Sequence, residues 1–250
     1  MAADVVQLEA LVLKTVPYGE SDLVVHLFTR GRGKLAAFAH GARKSSKRFG
    51  GGLEPFGLLE AELSFRHGRS LADLKRVALT ESHPALREDL GRLAHAGYAT
   101  ELVRELVREG EPHDALFELL VEMYRLLASR SPTALLLRAF ELEALREAGF
   151  QPVLDACARC GREVEGAGLF DAEHGGVACR TCATSVALPL EGTALRLLRA
   201  LQAGGLRAGL ADETHLPVEP VGRALRAFIA RHVRHDLKSL AFIHDVGAPE

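Results

Sequence analysis

Up to about residue 80 the apolar residues of this chain gather in short strand-like runs, one of them alternating strictly, and beyond it they recur three and four apart, so no single kind of secondary structure accommodates both halves. The clearest stretch of the first kind is Phe56 to Arg66, where Leu59, Ala61, Leu63 and Phe65 alternate with Glu60, Glu62, Ser64 and Arg66, as in a strand with one buried face. Four more short runs predict strands: Leu8 to Val16, Leu23 to Phe28, Lys34 to His40 and Leu71 to Ala78. The first ends at Pro17-Tyr18-Gly19, which is turn chemistry. Arg30-Gly31-Arg32-Gly33 returns the second strand into the third as a hairpin, and His67-Gly68-Arg69-Ser70 returns the fourth into the fifth. Five short antiparallel strands fit a small closed barrel, and the oligonucleotide-binding barrel (OB-fold) is the common five-stranded type.

From Pro84 the pattern is helical. Ala99, Leu102, Val103, Leu106 and Val107 form one apolar stripe; Leu116, Leu119, Leu120, Met123 and Leu127 form a second; Leu135, Leu136, Ala139, Leu142 and Leu145 form a third. Ser131-Pro132 reads as the start of the third helix and Gly149 as its stop. Two further helices are expected near Thr193 to Gln202 and Pro220 to Leu240. The chain of 250 residues therefore reads as an α+β protein of two domains, 1–80 a β-barrel and 81–250 helical.

Charge follows the same boundary. Residues 1–80 hold twelve Lys and Arg against eight Asp and Glu, while the remainder is acidic, so a formal net charge of −2 conceals a basic domain on an acidic one. Within the basic half, Thr29 to Arg48 carries Arg30, Arg32, Lys34, Arg43, Lys44, Lys47 and Arg48 and no acid. A strand between two basic loops suits an extended polyanion; a solvated loop is the plain alternative. Arg66 and Arg69, with Lys75 and Arg76, are further candidates. Phe28, Phe38, Phe56 and Phe65 are expected in the core, which leaves Tyr18 and Phe49 for stacking on bases. Such binding is mainly electrostatic and weakly sequence-selective.

Cys157-Ala-Arg-Cys160 and Cys179-Arg-Thr-Cys182 are the chain's four cysteines, in two pairs separated by a spacing that suits a four-cysteine zinc site. This spacing favours a structural zinc ion, one per chain, over a redox dithiol or merely buried thiols, and places the zinc-binding insertion at about 153–187. Four thiolates leave no open position for water, so catalysis by this metal is not expected. No His has Glu two residues later, as a zinc deaminase requires, and no Gly-x-Ser-x-Gly, His-Glu-x-x-His or phosphate-binding glycine loop is present. The absence of a leader-like start and of a membrane-length apolar run predicts a cytoplasmic protein with no membrane contact.

An ordered set of short motifs resembles the RecO family of bacterial recombination mediators: Val12-Leu13-Lys14, Tyr18-Gly19-Glu20-Ser21-Asp22, Leu27-Phe28-Thr29, Gly33-Lys34, Gly41-Ala42-Arg43 and Leu53-Glu54-Pro55-Phe56, then Gly149-Phe150-Gln151-Pro152 leading into Cys157 and Cys160-Gly161. The resemblance implies an OB-fold barrel, a helical domain and an inserted zinc finger. It also implies a DNA repair protein, not an enzyme, that binds single- and double-stranded DNA and anneals complementary strands. With RecR, such proteins help load RecA onto DNA coated by single-strand-binding protein, whose acidic C-terminal tail docks on the helical domain. Arg223, Arg226, Arg231 and Arg234 are available cations for that tail. Glu54 departs from the family's more usual Gln and sets an anion beside the basic loop. Two other classes compete: a protein-interaction scaffold with a structural zinc and no direct DNA role, and a metal-dependent nucleic-acid enzyme using clustered carboxylates. Glu60 and Glu62 share a strand face, but they read as its solvent side.

Overall fold

The computed structural model describes residues 4–50, 52–65 and 71–250. Five strands, β1 (Asp4–Tyr18), β2 (Asp22–Thr29), β3 (Gly33–Ala39), β4 (Leu58–Phe65) and β5 (Ala72–Glu81), close into a barrel in the order β1-β2-β3-β5-β4. β1 is long enough to serve two neighbours: Asp4 to Leu11 pair with β4 and Ala10 to Tyr18 pair with β2. The register slips between Val12 and Lys14, a bulge that bends β1 around the barrel. The hairpin expected at Arg30 to Gly33 is present, with Thr29 opposite Gly33. The expectation of a wholly antiparallel sheet fails at one seam, where β3 and β5 run parallel through Ala37↔Ala72 and Phe38↔Asp73. These strands are joined by a crossover through β4 rather than by a turn, which frees their relative direction. The hairpin turn expected at His67 to Ser70 lies outside the described residues.

The period-two pattern predicts the interior. Ala10, Val12, Val25, Leu27, Ala37, Ala39, Leu59, Ala61, Leu63, Leu74 and Val77 fill the barrel. Phe56 differs from its expectation as a strand residue: it stands in a turn before β4 with φ of 70°, buried, in a conformation that a bulky side chain adopts only where packing compels it.

The first compact unit spans residues 1–96 and 107–129. Besides the barrel it holds α1 (Ser46–Phe49), α2 (Ala85–Glu88), the start of α3 (Leu90–Leu106) and α4 (Asp114–Ser129). α4 packs on the barrel through Phe117 against Phe28, ring centroids 5.6 Å apart, and Tyr124 against Phe56 at 5.5 Å. Arg125 clamps both oxygens of Glu81, at 2.9 and 2.6 Å. Gly33, with φ of +67°, could not be another residue, because a Cβ there would stand 1.9 Å from the Glu111 carbonyl oxygen.

The second unit, residues 97–106 and 130–250, is helical around α5 (Ala134–Glu147), with α6 (Gly192–Ala208), α7 (Val218–His232) and α8 (Lys238–Asp245). All three expected apolar stripes are buried. The helix start differs from its expectation by two residues: Thr133, not Ser131, is the cap, and its hydroxyl accepts from the Leu136 N–H at 3.1 Å. Gly149 ends α5 with φ of +83°. The single helix expected over Pro220 to Leu240 is two, broken after His232, whose ring packs between Phe150 and Phe228 at 4.6 and 4.5 Å. No glycine or proline marks that break in the sequence. A small sheet, β6 (Gly168–Asp171), β7 (Gly176–Ala178) and β8 (Leu188–Leu190), in the order β7-β6-β8, was not foreseen.

Candidate nucleic-acid interface and metal centre

Because alternate residues of β1, β2 and β3 fill the barrel, the residues between them form its outer face. Register aligns Val16, Val24 and Phe38 across the three strands. The Tyr18 ring meets Phe38 edge-on at 5.1 Å, and Phe38 lies 4.4 Å from His40, so three rings form a continuous row. Tyr18 is 60% exposed. Of the two residues expected to be free for stacking, Tyr18 is so placed and Phe49 is not: Phe49 is buried in the barrel core. Phe38 and His40 were missed because a strand Phe is ordinarily a core residue; only the parity of Phe38 relative to Ala37 and Ala39 distinguishes it.

The basic loop follows this row directly. The Gly41 N–H donates to Asp22 Oδ1 at 2.7 Å and holds that carboxyl below the usual carboxylate range. The Arg43 N–H donates to the Ser21 carbonyl at 3.0 Å, and its guanidinium reaches the Glu20 carbonyl at 3.3 Å. These bonds fix the loop against the β1–β2 turn. Arg48, on α1, donates to the His40 carbonyl at 2.6 Å and lies over the Phe49 ring. Lys44 and Lys47 are exposed, and among the described residues neither has an ion-pair partner.

At the other end of β3 the cations are differently placed. Arg30 pairs with Glu9 at 2.5 Å and with Glu118, and lies over Phe117, so it joins the barrel to α4. Arg32 lies over the Phe65 ring at 4.8 Å and stands 4.0 Å from Asp4. The Lys34 carbonyl accepts from the Gly110 N–H at 2.9 Å. Arg66 and Arg69 lie outside the described residues. Lys75 faces Asp73 and Arg76 faces Glu62. Glu54, the anion set beside the basic loop, pairs with Arg87.

The four cysteines converge as their spacing predicts: Cys157, Cys160, Cys179 and Cys182 bring their sulfurs within 4.8 Å of one another. Four sulfurs about 2.3 Å from one zinc ion stand about 3.8 Å apart, and Cys160 and Cys179 are 3.9 Å apart. Gly161, φ +73°, lets its N–H turn back to the Cys157 carbonyl at 2.8 Å; in the second pair the Cys182 N–H returns to the Cys179 carbonyl at 2.9 Å. Backbone N–H groups of Cys179 and Cys160 pull the Cys157 thiol down to about 6, while the neighbouring sulfurs Cys179 and Cys160 push Cys182 up to about 12. Thiols this close cannot all ionise without a cation among them. Arg199 of α6 donates to the Leu154 and Val164 carbonyls, each at 2.8 Å, and so ties both arms of the first knuckle to the helix.

Elsewhere in the second unit, α7, α8 and Tyr98 of α3 line an open pocket of about 510 Å³ with apolar walls from Ile229, Leu237 and Leu240, where Arg226 stands with two acids, Asp236 and Glu250. Of the other arginines expected to offer charge, Arg223 pairs with Glu219, and Arg231 and Arg234 are exposed and are not among the residues that line the pocket.

Comparison with known proteins divides the chain just after β5. The family model described as Recombination protein O N terminal matches residues 1–83, and Recombination protein O C terminal matches 87–241. The chain is 50% identical to the DNA repair protein RecO of Anaeromyxobacter sp. (strain K) over 98% of both chains. It is 44% identical to that of Myxococcus xanthus over 96% of this chain and 97% of the relative, and 38% identical to that of Geobacter sulfurreducens over 96% and 98%.

Proposed function

Because the chain belongs to the recombination protein O family, we propose that it is a DNA repair and recombination mediator whose barrel, of the OB-fold type, binds single- and double-stranded DNA. The observation that carries this reading is the juxtaposition of Tyr18, Phe38 and His40 with the exposed Arg43, Lys44 and Lys47. Strands 2 and 3 are where such barrels hold oligonucleotides, with aromatic rings that stack on bases beside cations that neutralise phosphates. Arg32, Lys34 and Arg48 extend the positive surface, while Arg30 serves the barrel's own packing. Annealing follows from the same chemistry: neutralised phosphates let two strands approach while their pairing edges stay free. No covalent step is involved.

The four cysteines hold one structural zinc. A zinc ion held by the four thiolates would close the two knuckles and leave no position for water. The chain's own residues do the rest: Arg199 and the β6–β8 sheet carry the knuckles. We also assign RecR as partner in loading RecA, and single-strand-binding protein as a partner through its acidic tail, as the family resemblance implies; the pocket beside Arg226 also holds Asp236 and Glu250, whose charges oppose a carboxylate there. No helix among the described residues is long and apolar enough to cross a membrane, which accords with work in the cytoplasm.

The test is binding of a plain oligonucleotide. Affinity is expected for single and double strands alike, falling steeply with salt and indifferent to sequence. A protein that binds no oligonucleotide at low salt while still binding RecR would be a scaffold, not a DNA-binding mediator.

A further inference from the structure

The chain between α3 and α4 runs alongside the start of β3. Lys34 and Glu109 form a parallel bridge, the Gly110 N–H donates to the Lys34 carbonyl, and Gly33 lies so close to Glu111 that no Cβ fits. The result is a groove of about 460 Å³ in the first unit, floored by β3 and walled on one side by Gly110 and Pro112. Phe65, at the end of β4, also lines it, with the Arg32 guanidinium over its ring at 4.8 Å. Among the described residues Lys34 and Arg32 line this groove with one acid, Glu109, and Arg32 also stands 4.0 Å from Asp4.

A guanidinium already held on an aromatic ring presents its other face as a flat cationic platform, and unstacked bases lie on such planes. A platform, a backbone-lined wall and a lysine at the floor offer distinct partners to the two parts of a nucleotide. Glu109 repels a phosphate from its own wall but can accept a hydrogen bond from a base N–H, such as thymine N3–H. The groove is also too narrow in cations to track a phosphate chain by itself.

We propose that this groove seats one unstacked nucleotide of single-stranded DNA, its base on the Arg32–Phe65 pair and its phosphate at Lys34. The inference rests on the DNA-binding reading above and adds to it a base-dependent contact, separate from the row of Tyr18, Phe38 and His40. It makes the cations at this end of β3 more than a diffuse positive surface. Duplex DNA, whose bases are stacked and paired, does not enter.

The experiment compares the full-length protein and its variants on two ligands of equal phosphate number, oligo-dT and a wholly abasic deoxyribose-phosphate chain. Arg32→Lys keeps the charge and loses the planar platform. It is expected to lower affinity for oligo-dT about tenfold, as for loss of one stacked base, with little change on the abasic chain or on duplex. Phe65→Leu, which keeps an apolar side chain against the core, should reproduce the pattern, and matched melting temperatures exclude misfolding. Equal loss on both ligands, or no loss in a folded Arg32→Lys protein, would overturn the nucleotide seat and leave the DNA-binding reading standing. A parent protein that binds neither ligand would overturn both.

Discussion

The Tyr98 hydroxyl donates to Glu141 Oε1 at 2.5 Å between side chains that are wholly buried, and the other Glu141 oxygen lies 3.2 Å from Arg138 Nη1, also buried. Burial raises the Tyr98 hydroxyl well above its ordinary range and also raises Glu141, against the pull of Arg138. Removing one member of such a network costs more than removing it all, because the remaining charge stays buried. Glu141→Leu is therefore expected to destabilise the chain by about 3 to 5 kcal/mol. Tyr98→Phe, which strands one carboxylate oxygen, should cost about 1 to 3 kcal/mol. The triple variant Tyr98→Phe, Arg138→Met, Glu141→Leu should be more stable than Glu141→Leu alone in denaturant unfolding. A triple variant that is worse would show that the network stabilises the unit beyond its desolvation cost.

Acid sensitivity is expected in two stages. His83 is held below its ordinary value by burial, and His232 likewise, so the folded chain resists protons that the unfolded chain takes up below about pH 6.5. Glu81 is held below the usual carboxylate range by the Arg125 guanidinium, and its contribution is complete above an unfolded value of about 4.3 and lost as pH falls through the folded one. Urea midpoints should begin to fall below about pH 6.5 and fall further below about 4.3. A His83→Gln, His232→Gln variant should flatten the first stage only, and Glu81→Gln should reduce the second. A first stage that persists in the histidine variant would assign it to other groups.

The metal prediction follows from the sulfur geometry. Purified protein should carry about one zinc per chain, and Cys160→Ser should lose it and lower the melting temperature, since metal affinity adds to folding free energy only when the ligands converge in the folded state. Chelation of the parent should have the same effect, whereas DNA affinity of the barrel should change less. A metal-free variant that melts like the parent would remove the structural role.

Much of this was legible in sequence because it rests on short-range rules. The interior of the barrel follows from parity along β4, and the cysteine cluster from two pairs of cysteines whose knuckles are local turns. What was not legible depends on partners distant in the chain. Arg30 looks like its neighbours in the basic stretch, and only the arrival of Glu118 on α4 distinguishes it. Arg138 and Glu141 look like an ordinary surface pair three residues apart, yet α5 is buried on nearly every side. The end of α7 at His232 depends on Phe150, more than eighty residues earlier.

The last prediction concerns the loop after β3. Lys44 and Lys47 are exposed and have no ion-pair partner among the described residues, so their charge is available to phosphates at no internal cost. Each phosphate neutralised on a single strand releases condensed counterion, and log affinity falls by about 0.7 per contact for each unit of log salt. Lys44→Ala with Lys47→Ala should therefore reduce the salt slope for single-stranded DNA by about 1.4 and weaken binding to all sequences alike. Annealing of complementary strands should slow in parallel. The fold should be unaffected, because exposed loop and helix-edge lysines change stability by no more than about 0.5 kcal/mol. Arg30→Ala supplies the contrast: it leaves Glu9 and Glu118 facing each other, so it should lower stability while leaving the salt slope nearly unchanged. If the lysine variant kept both affinity and slope, the phosphate path would not run over this loop.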